Sequence, residues 1–366
     1  MGGPDRMQTY VLSRTLIGLA AAMAVIASVV MLIDFVELSR TVGGRVELSF
    51  VTLVELTLLK SPSVILVLAP FVFLFGSMGA FVAMNRRSEL VAMRAAGVSA
   101  WRFISPAAAA AFLLGVVAVG ALNPAASFLN ARFEDRRAEL TDPPGGGARQ
   151  LWLRQGDDRS QIVIHARSHQ TDGEVVRLHG VSLFVQNVTP AGEVDFSRRI
   201  EAAEATLTPG FWRLSQAREA LPGSSSVRSE EMAIPSLLDR RTAMETFVSP
   251  GAVAFWRLPE TIREAELAGY SASGYRLHFD QLLAIPVMFV AMAVLAAAFS
   301  LRLARLGGLA GLAVVGVAAG FVIFFFNQFC GALGATEVIP PFLAASAPPL
   351  LALLSGVTLL CYTEDG

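Results

Sequence analysis

The residues that could do chemistry are few, and their spacing argues against catalysis in this chain. Lys60 is the only lysine among 366 residues, and no G-x-x-x-x-G-K-[ST] surrounds it, so there is no P-loop to cradle a nucleotide phosphate. If ATP drives the protein, another subunit must hydrolyse it. His165 and His169 are four apart, but His-Ala-Arg-Ser-His lacks the glutamate of an H-E-x-x-H site. The pair also falls where a strand is expected, so the two rings would not share a helical metal face. No G-x-S-x-G and no cysteine in a nucleophilic setting occurs. Cys330 and Cys361 fall toward opposite ends of two neighbouring apolar stretches, too far apart for a disulfide that needs α-carbons within about 7 Å. No catalytic residue and no metal ligand is assigned.

The elements that carry these residues are mostly apolar. With 54% hydrophobic and 16% charged residues, the chain is too apolar for a soluble protein, where about a quarter of residues are charged. A net charge of −1 also excludes a nucleic-acid binder, which needs a concentrated basic surface. Of the 59 charged residues, 39 fall between Arg132 and Asp280. Six charge-free stretches lie around that block: 15–33, 61–85, 103–131, 281–301, 306–336 and 338–363. The shortest has 19 residues, which at about 1.5 Å per residue covers the roughly 30 Å of bilayer hydrocarbon. Arg6 and Arg14 followed by Ala22-x-Ala24 imitate a secretory signal. The apolar run continues to Ile33, however, and a retained anchor fits better.

Basic residues stay on the cytoplasmic side of membrane proteins. An inside amino terminus gathers Arg6, Arg14, Arg86, Arg87, Arg94, Arg102, Arg302 and Arg305 on that side, against Arg40, Arg45 and Lys60 in the short outer connections. The polar block then lies outside, which is the periplasm if the cell is a Gram-negative bacterium. Its short alternating segments at 151–154, 161–166, 175–186, 200–207 and 211–214, separated by turn residues, predict an antiparallel β domain of sandwich or jelly-roll type. Loops are expected at 142–147 (DPPGGG) and 222–226, and a helical return begins at Leu258. The predicted organisation is residues 1–131 as spans one to three, 132–275 as the exported domain with its helical return, and 276–366 as spans four to six.

The most informative polar segment joins spans two and three, at about 86–97. Ser88 is placed to cap a short helix, Glu89 suits its positive end, Arg94 its negative end, and Gly97 a left-handed stop. Leu90 and Met93 give it an apolar face suited to a partner's groove. A plain positive-inside loop is the simpler alternative.

Arg87–Gly97 (RSELVAMRAAG), with three spans on each side of an exported β domain, resembles the LptF/LptG lipopolysaccharide-export permeases along the whole chain. Tyr10 to Arg14, Asp34 to Glu37 (DFVE), Asn327-Gln328 and Pro340-Pro341 look more like the LptG branch than the LptF branch. The resemblance implies a polytopic six-helix (3+3) inner-membrane protein with an inserted periplasmic β-jelly-roll domain. It also implies the permease half of an ABC transporter, paired with an LptF-like subunit. An LptB-like ATPase dimer would bind ATP and Mg, and LptC-like and LptA-like proteins would extend the β track. Arg87, Ser88, Glu89, Leu90, Met93, Arg94 and Gly97 would form the coupling helix, with Glu89 touching the ATPase and Leu90 and Met93 filling its groove.

Arg132, Arg136 and Arg137 would lie where lipid phosphates are, and guanidinium forks suit phosphate, although a solvated entry to the exported domain is the simpler reading of any one of them. Asp34 stands where the family can place a lipid-contacting lysine. An acid there would repel phosphate, so Asp34 is expected to pair with an arginine at the helix end. Gly307, Gly311, Gly316 and Gly320 allow close helix approach, either as static packing or, with Phe321, as a lateral gate. Two other classes remain open: a different ATP-linked permease, usually with four spans, and a membrane scaffold that transports nothing.

Overall fold

The computed structural model describes residues 4–42, 49–141, 151–156, 160–172, 175–188, 194–208, 210–221, 226–236, 250–267, 271–303 and 309–364. Six helices are long and apolar enough to cross a membrane. They belong to α1 (Pro4–Thr41), α2 (Phe50–Arg86), α4 (Ala100–Val117) continuing into α5 (Asn123–Thr141), α7 (Ser273–Leu303), α8 (Leu309–Ala335) and α9 (Pro341–Glu364). A short helix, α3 (Glu89–Ala95), links α2 to α4, and α6 (Leu258–Leu267) follows the sheet. Between α5 and α6 lie six strands, β1 (Leu151–Gly156), β2 (Ser160–Asp172), β3 (Val175–Val188), β4 (Val194–Thr208), β5 (Phe211–Ala220) and β6 (Val227–Pro235). The chain divides into two units: residues 1–135, 251–258 and 273–366, and residues 136–250 with 259–272. The stretches 142–147 and 222–225, expected as loops, and Gly307 lie outside the described residues.

In the helical unit, the centre is α7, where the run from Ala291 to Ala298 is buried throughout. Its alanines let α2, α4 and α9 approach, and Phe73 of α2 stacks on Phe289 at 4.0 Å between ring centres. The outer helices are far less covered. Within their most apolar stretches only 11% of α1 and 17% of α8 is buried, against 67% of α7. Such all-round apolar helices are stable only against lipid or another protein.

Between α4 and α5 the chain forms a π-helical turn at Ala118–Leu122, which leaves backbone groups without their usual partners. The indole Nε1–H of Trp256 donates to the Gly120 carbonyl at 2.9 Å, and the Phe255 N–H donates to Asn123 Oδ1 at 2.9 Å. Gly251–Leu258 therefore packs with the helices, and Leu258 joins Val119 and Leu282 in one buried cluster.

The β unit is a single antiparallel sheet with strands in sequence order. Alternation puts Ile164, Ala166, Leu183, Ile200, Leu214 and Ile234 on one face, and all are buried. A line of missing pairings crosses the sheet at Arg167, Gly180, Ala203, Gln216 and Glu230. At that line the inward set steps by three residues instead of two, from Leu178 to Val181, Ala202 to Ala205, and Leu214 to Ala217. Gly180 and Gln216 take positive φ there, +60° and +53°, as bulged strands do when they bend. Every fully buried member of the β core comes from a strand. Residues on both sides of the crease feed one buried apolar cluster, so among the described residues the sheet bends toward its apolar face. β6 is the strand that alternation did not predict. Its sequence, VRSEEMAIP, puts only Met232 and Ile234 inward, too weak a period to stand out.

Candidate functional site: the short helix between the second and third spans

α3 is built by two left-handed residues. Ser88 takes φ +59° and ψ +13° and makes no side-chain cap, which corrects the capping role expected of it. An N-cap needs extended backbone, and a two-residue link between helices uses that position to reverse the chain instead. Gly97, at φ +80°, ends the helix as expected. Its N–H donates to the Arg94 carbonyl at 2.9 Å and the Val98 N–H to the Met93 carbonyl at 3.1 Å, the Schellman pattern that glycine makes possible. Met93 and Val98 pack beside it, supplying the usual apolar contact across the stop.

Leu90 points inward. It is 1% exposed and lies in a cluster with Val11 of α1, Phe81 and Met84 of α2, Phe103 and Ile104 of α4, Ala297 of α7 and Leu360 of α9. The expectation that Leu90 fills a partner's groove is therefore corrected: in an amphipathic seven-residue helix the best-placed apolar side chain is consumed in plugging the helix into its own bundle. Met93 is half-buried on the same side, and Arg94 is half-buried with a partner of its own. The outer face instead presents Val91, 59% exposed, with Ala92 and Ala95. Arg87 is exposed at the entry.

Glu89 is held from a third direction. The hydroxyl of Tyr10 on α1 lies 3.0 Å and 2.9 Å from its two carboxylate oxygens. Arg14 Nε donates to that same hydroxyl at 3.0 Å, with its guanidinium carbon 5.1 Å from the Tyr10 ring centre. The Tyr10–Arg14 segment and the Arg87–Gly97 segment, both singled out in the sequence, thus meet in space.

At the opposite end of α1, Asp34 is 4% exposed and Lys60 of α2 donates to it at 2.9 Å and to Glu37 at 3.2 Å. The partner of Asp34 is thus the single lysine and not an arginine, because Lys60 faces it from the adjoining helix. Its second oxygen, Oδ2, is buried without a hydrogen bond among the described residues.

The three arginines all lie on α5. Arg132 sits over the Phe128 ring at 4.7 Å, Arg136 pairs with Glu139 at 2.8 Å, and all three are exposed. On α8, Gly316 faces the side chain of Met78 and Gly320 those of Leu74 and Phe71, whereas a methyl group at Gly311 would meet nothing within 4 Å. Among the described residues, Gly311 thus makes no close helix contact. Phe321 is 49% exposed and packs edge-on to Phe71 at 5.9 Å. The tightest backbone approaches are elsewhere: Gly18 against Gly76, and Gly115 against Pro286. Gly18-x-x-x-Ala22, Gly76-x-x-x-Ala80 and Ala111-x-x-x-Gly115 are small-xxx-small spacings, but spacing alone does not say which such pairs face another helix. His165 is half-buried on β2, and no group of three or more metal-ligating side chains exists among the described residues.

Six helices long and apolar enough to span a bilayer, with an antiparallel β sheet inserted after the third and a short plugged helix between the second and third, define a polytopic membrane protein with an inserted β domain. The family described as lipopolysaccharide export system permease LptF/LptG matches residues 9–362, and this chain belongs to it. The lipopolysaccharide export system permease protein LptG of Escherichia coli strain K12 is 23% identical over 316 residues, covering 83% of this chain and 84% of that protein. LptG of E. coli O6:H1 strain CFT073 matches with the same figures.

Proposed function

We propose that the chain is an LptG-like permease subunit that draws lipopolysaccharide from the inner membrane and feeds it onto a periplasmic β track. An LptB-like ATPase dimer binds ATP and Mg and docks on the α3 end, an LptF-like subunit closes the cavity, and LptC-like and LptA-like proteins continue the sheet. The observation that carries the reading is the mounting of α3. Its root is plugged among five other helices while Val91, Ala92 and Ala95 face outward, so a push on its outer face cannot be absorbed by local yielding of the helix.

Three further features support it. Basic residues crowd the α3 end, which supports a cytoplasmic placement of that end and a periplasmic one for the sheet. α1 and α8 are the least covered spans, as faces meeting a second subunit and lipid would be. The sheet buries one continuous apolar face, which acyl chains need in order to cross water, and its interior holds a Trp212 indole N–H that has no acceptor among the described residues. An unmet donor in an apolar interior suits acyl chains joined through carbonyls. The outer-end arginines Arg132, Arg136 and Arg137 would meet the lipid's phosphates, and Phe321 with Gly316 and Gly320 would border the entrance.

Photocrosslinking tests this reading. A photoreactive residue at Leu183, inside the sheet, should capture lipopolysaccharide only when ATP is supplied to the complex with its ATPase. Capture that ignores ATP would remove the transport role and leave the fold intact.

A further inference from the structure

Resting on that reading, we propose that the Tyr10 hydroxyl is a positioning group that ties α3 to the first span, so that a displacement of α3 is delivered to α1 through Glu89. Two covalent routes leave α3, back into α2 and forward into α4. The forward route leads away from α1 and the backward one reaches it only through the whole of α2, with Tyr10 79 residues from Glu89. The link between them is made by side chains. Val11 beside Leu90 supplies apolar contact, but such contact is non-directional and lets helices slide. The hydrogen bond from Tyr10 to the Glu89 carboxylate is directional and charge-assisted, which makes it about twice as strong as a neutral one.

Arg14 completes the arrangement. It sits one turn along α1 from Tyr10, donates to the Tyr10 oxygen and lies over its ring. That leaves the hydroxyl proton directed to Glu89 and places a cation behind the phenol, which polarises it toward the carboxylate. The geometry also complements the hold that α2 has on α1: the Gly18–Gly76 crossing grips the helix further along, and Tyr10 fixes its amino-terminal end to α3. Tyr10 touches neither lipid nor nucleotide in this account. It sets where α1 stands for a given position of α3.

The test uses the assembled complex in proteoliposomes, with ATP hydrolysis and delivery of fluorescent lipopolysaccharide measured together, and nitroxide labels at Val25 on α1 and at Ala96, the exposed residue that closes α3 away from its docking face. Tyr10→Phe keeps the ring and removes only the hydroxyl. It should leave hydrolysis within about twofold and lower lipid delivered per ATP by roughly tenfold, the effect of one lost hydrogen bond to a charged group. The label distance, unchanged by ATP in the parent complex, should become ATP-dependent in the variant.

Unchanged delivery per ATP with an unchanged distance would overturn the proposal. Failure of Tyr10→Phe to assemble with the ATPase would overturn it too, by making Tyr10 merely structural. If the parent complex delivers no lipopolysaccharide, the proposed function falls, and the label distances still decide whether Tyr10 joins the two helices.

Discussion

Gly18→Ala is the substitution whose cost can be worked most directly from the structure. A methyl group at Gly18 would lie 2.3 Å from the Gly76 carbonyl oxygen and 3.2 Å from the Ala80 β-carbon. One at Gly76 would lie 2.7 Å from the Leu19 α-carbon. Ordinary contact begins near 3.4 Å, so α1 and α2 must separate by about 1 Å to admit the first. The atoms met are backbone and cannot rotate aside. Overpacking of this kind costs about 1–3 kcal/mol, and the exchange of glycine for alanine within a helix returns at most about 1. Gly18→Ala should therefore lower stability by about 1–2 kcal/mol, seen as a thermal midpoint several degrees lower for the detergent-purified protein. Gly311→Ala meets no atom within 4 Å and gains only the helix-propensity term, so its midpoint should hold or rise. Because both glycines serve one crossing, Gly18→Ala with Gly76→Ala should cost less than the sum of the singles. Equal midpoints for Gly18→Ala and Gly311→Ala would refute the close crossing.

The remaining expectations concern the same bundle. Leu90→Ala opens a void in a fully buried cluster and should cost about 2–5 kcal/mol of stability, whereas Val91→Asp, on the outer face of the same helix, should leave the midpoint unchanged yet abolish co-purification of an ATPase. Lys60→Met strands the buried Asp34 carboxylate and should destabilise by a few kcal/mol. Adding Asp34→Asn should recover most of that loss, and a Lys60→Met midpoint equal to the parent's would show that the pair contributes nothing. Trp256→Phe frees the Gly120 carbonyl and should cost about 1 kcal/mol, read as faster hydrogen exchange across the π-helical turn.

Much of this architecture was legible before any coordinates, and for definable reasons. Charge-free runs of 19 or more residues admit one solution in a bilayer, so all six spans and the inserted polar block followed directly. Strands with a strong inward alternation, such as β3, were visible, while β6 was hidden by its Ser-Glu-Glu centre. Glu89, Arg94 and Gly97 could be placed on a helix because caps and dipoles act within one turn. What local rules could not supply was direction. That Leu90 turns inward and Val91 outward depends on where five other helices stand, and Ser88 looked like a cap because composition does not report φ. The partner of Asp34 was missed for the same reason: nothing in the spacing of residues 34 and 60 says that two helices face each other there.

The three contacts that hold α1 to its neighbours also constrain how it can move. No proline interrupts it after Pro4, so it behaves as one rod. At about 1.5 Å per residue, Tyr10 lies roughly 12 Å from the Gly18 crossing and Asp34 roughly 24 Å on its other side. A tilt about the crossing would move the Asp34 end about twice as far as the Tyr10 end. That larger displacement falls on the Lys60 pair, and an unpaired charge in a low-dielectric setting is costly. Tilting must then either carry Lys60 along, which means α2 moves too, or exchange its partners between Asp34 and Glu37, which sit one turn apart and already share it. The shared lysine makes the second route the cheaper one, since at least one carboxylate stays paired throughout.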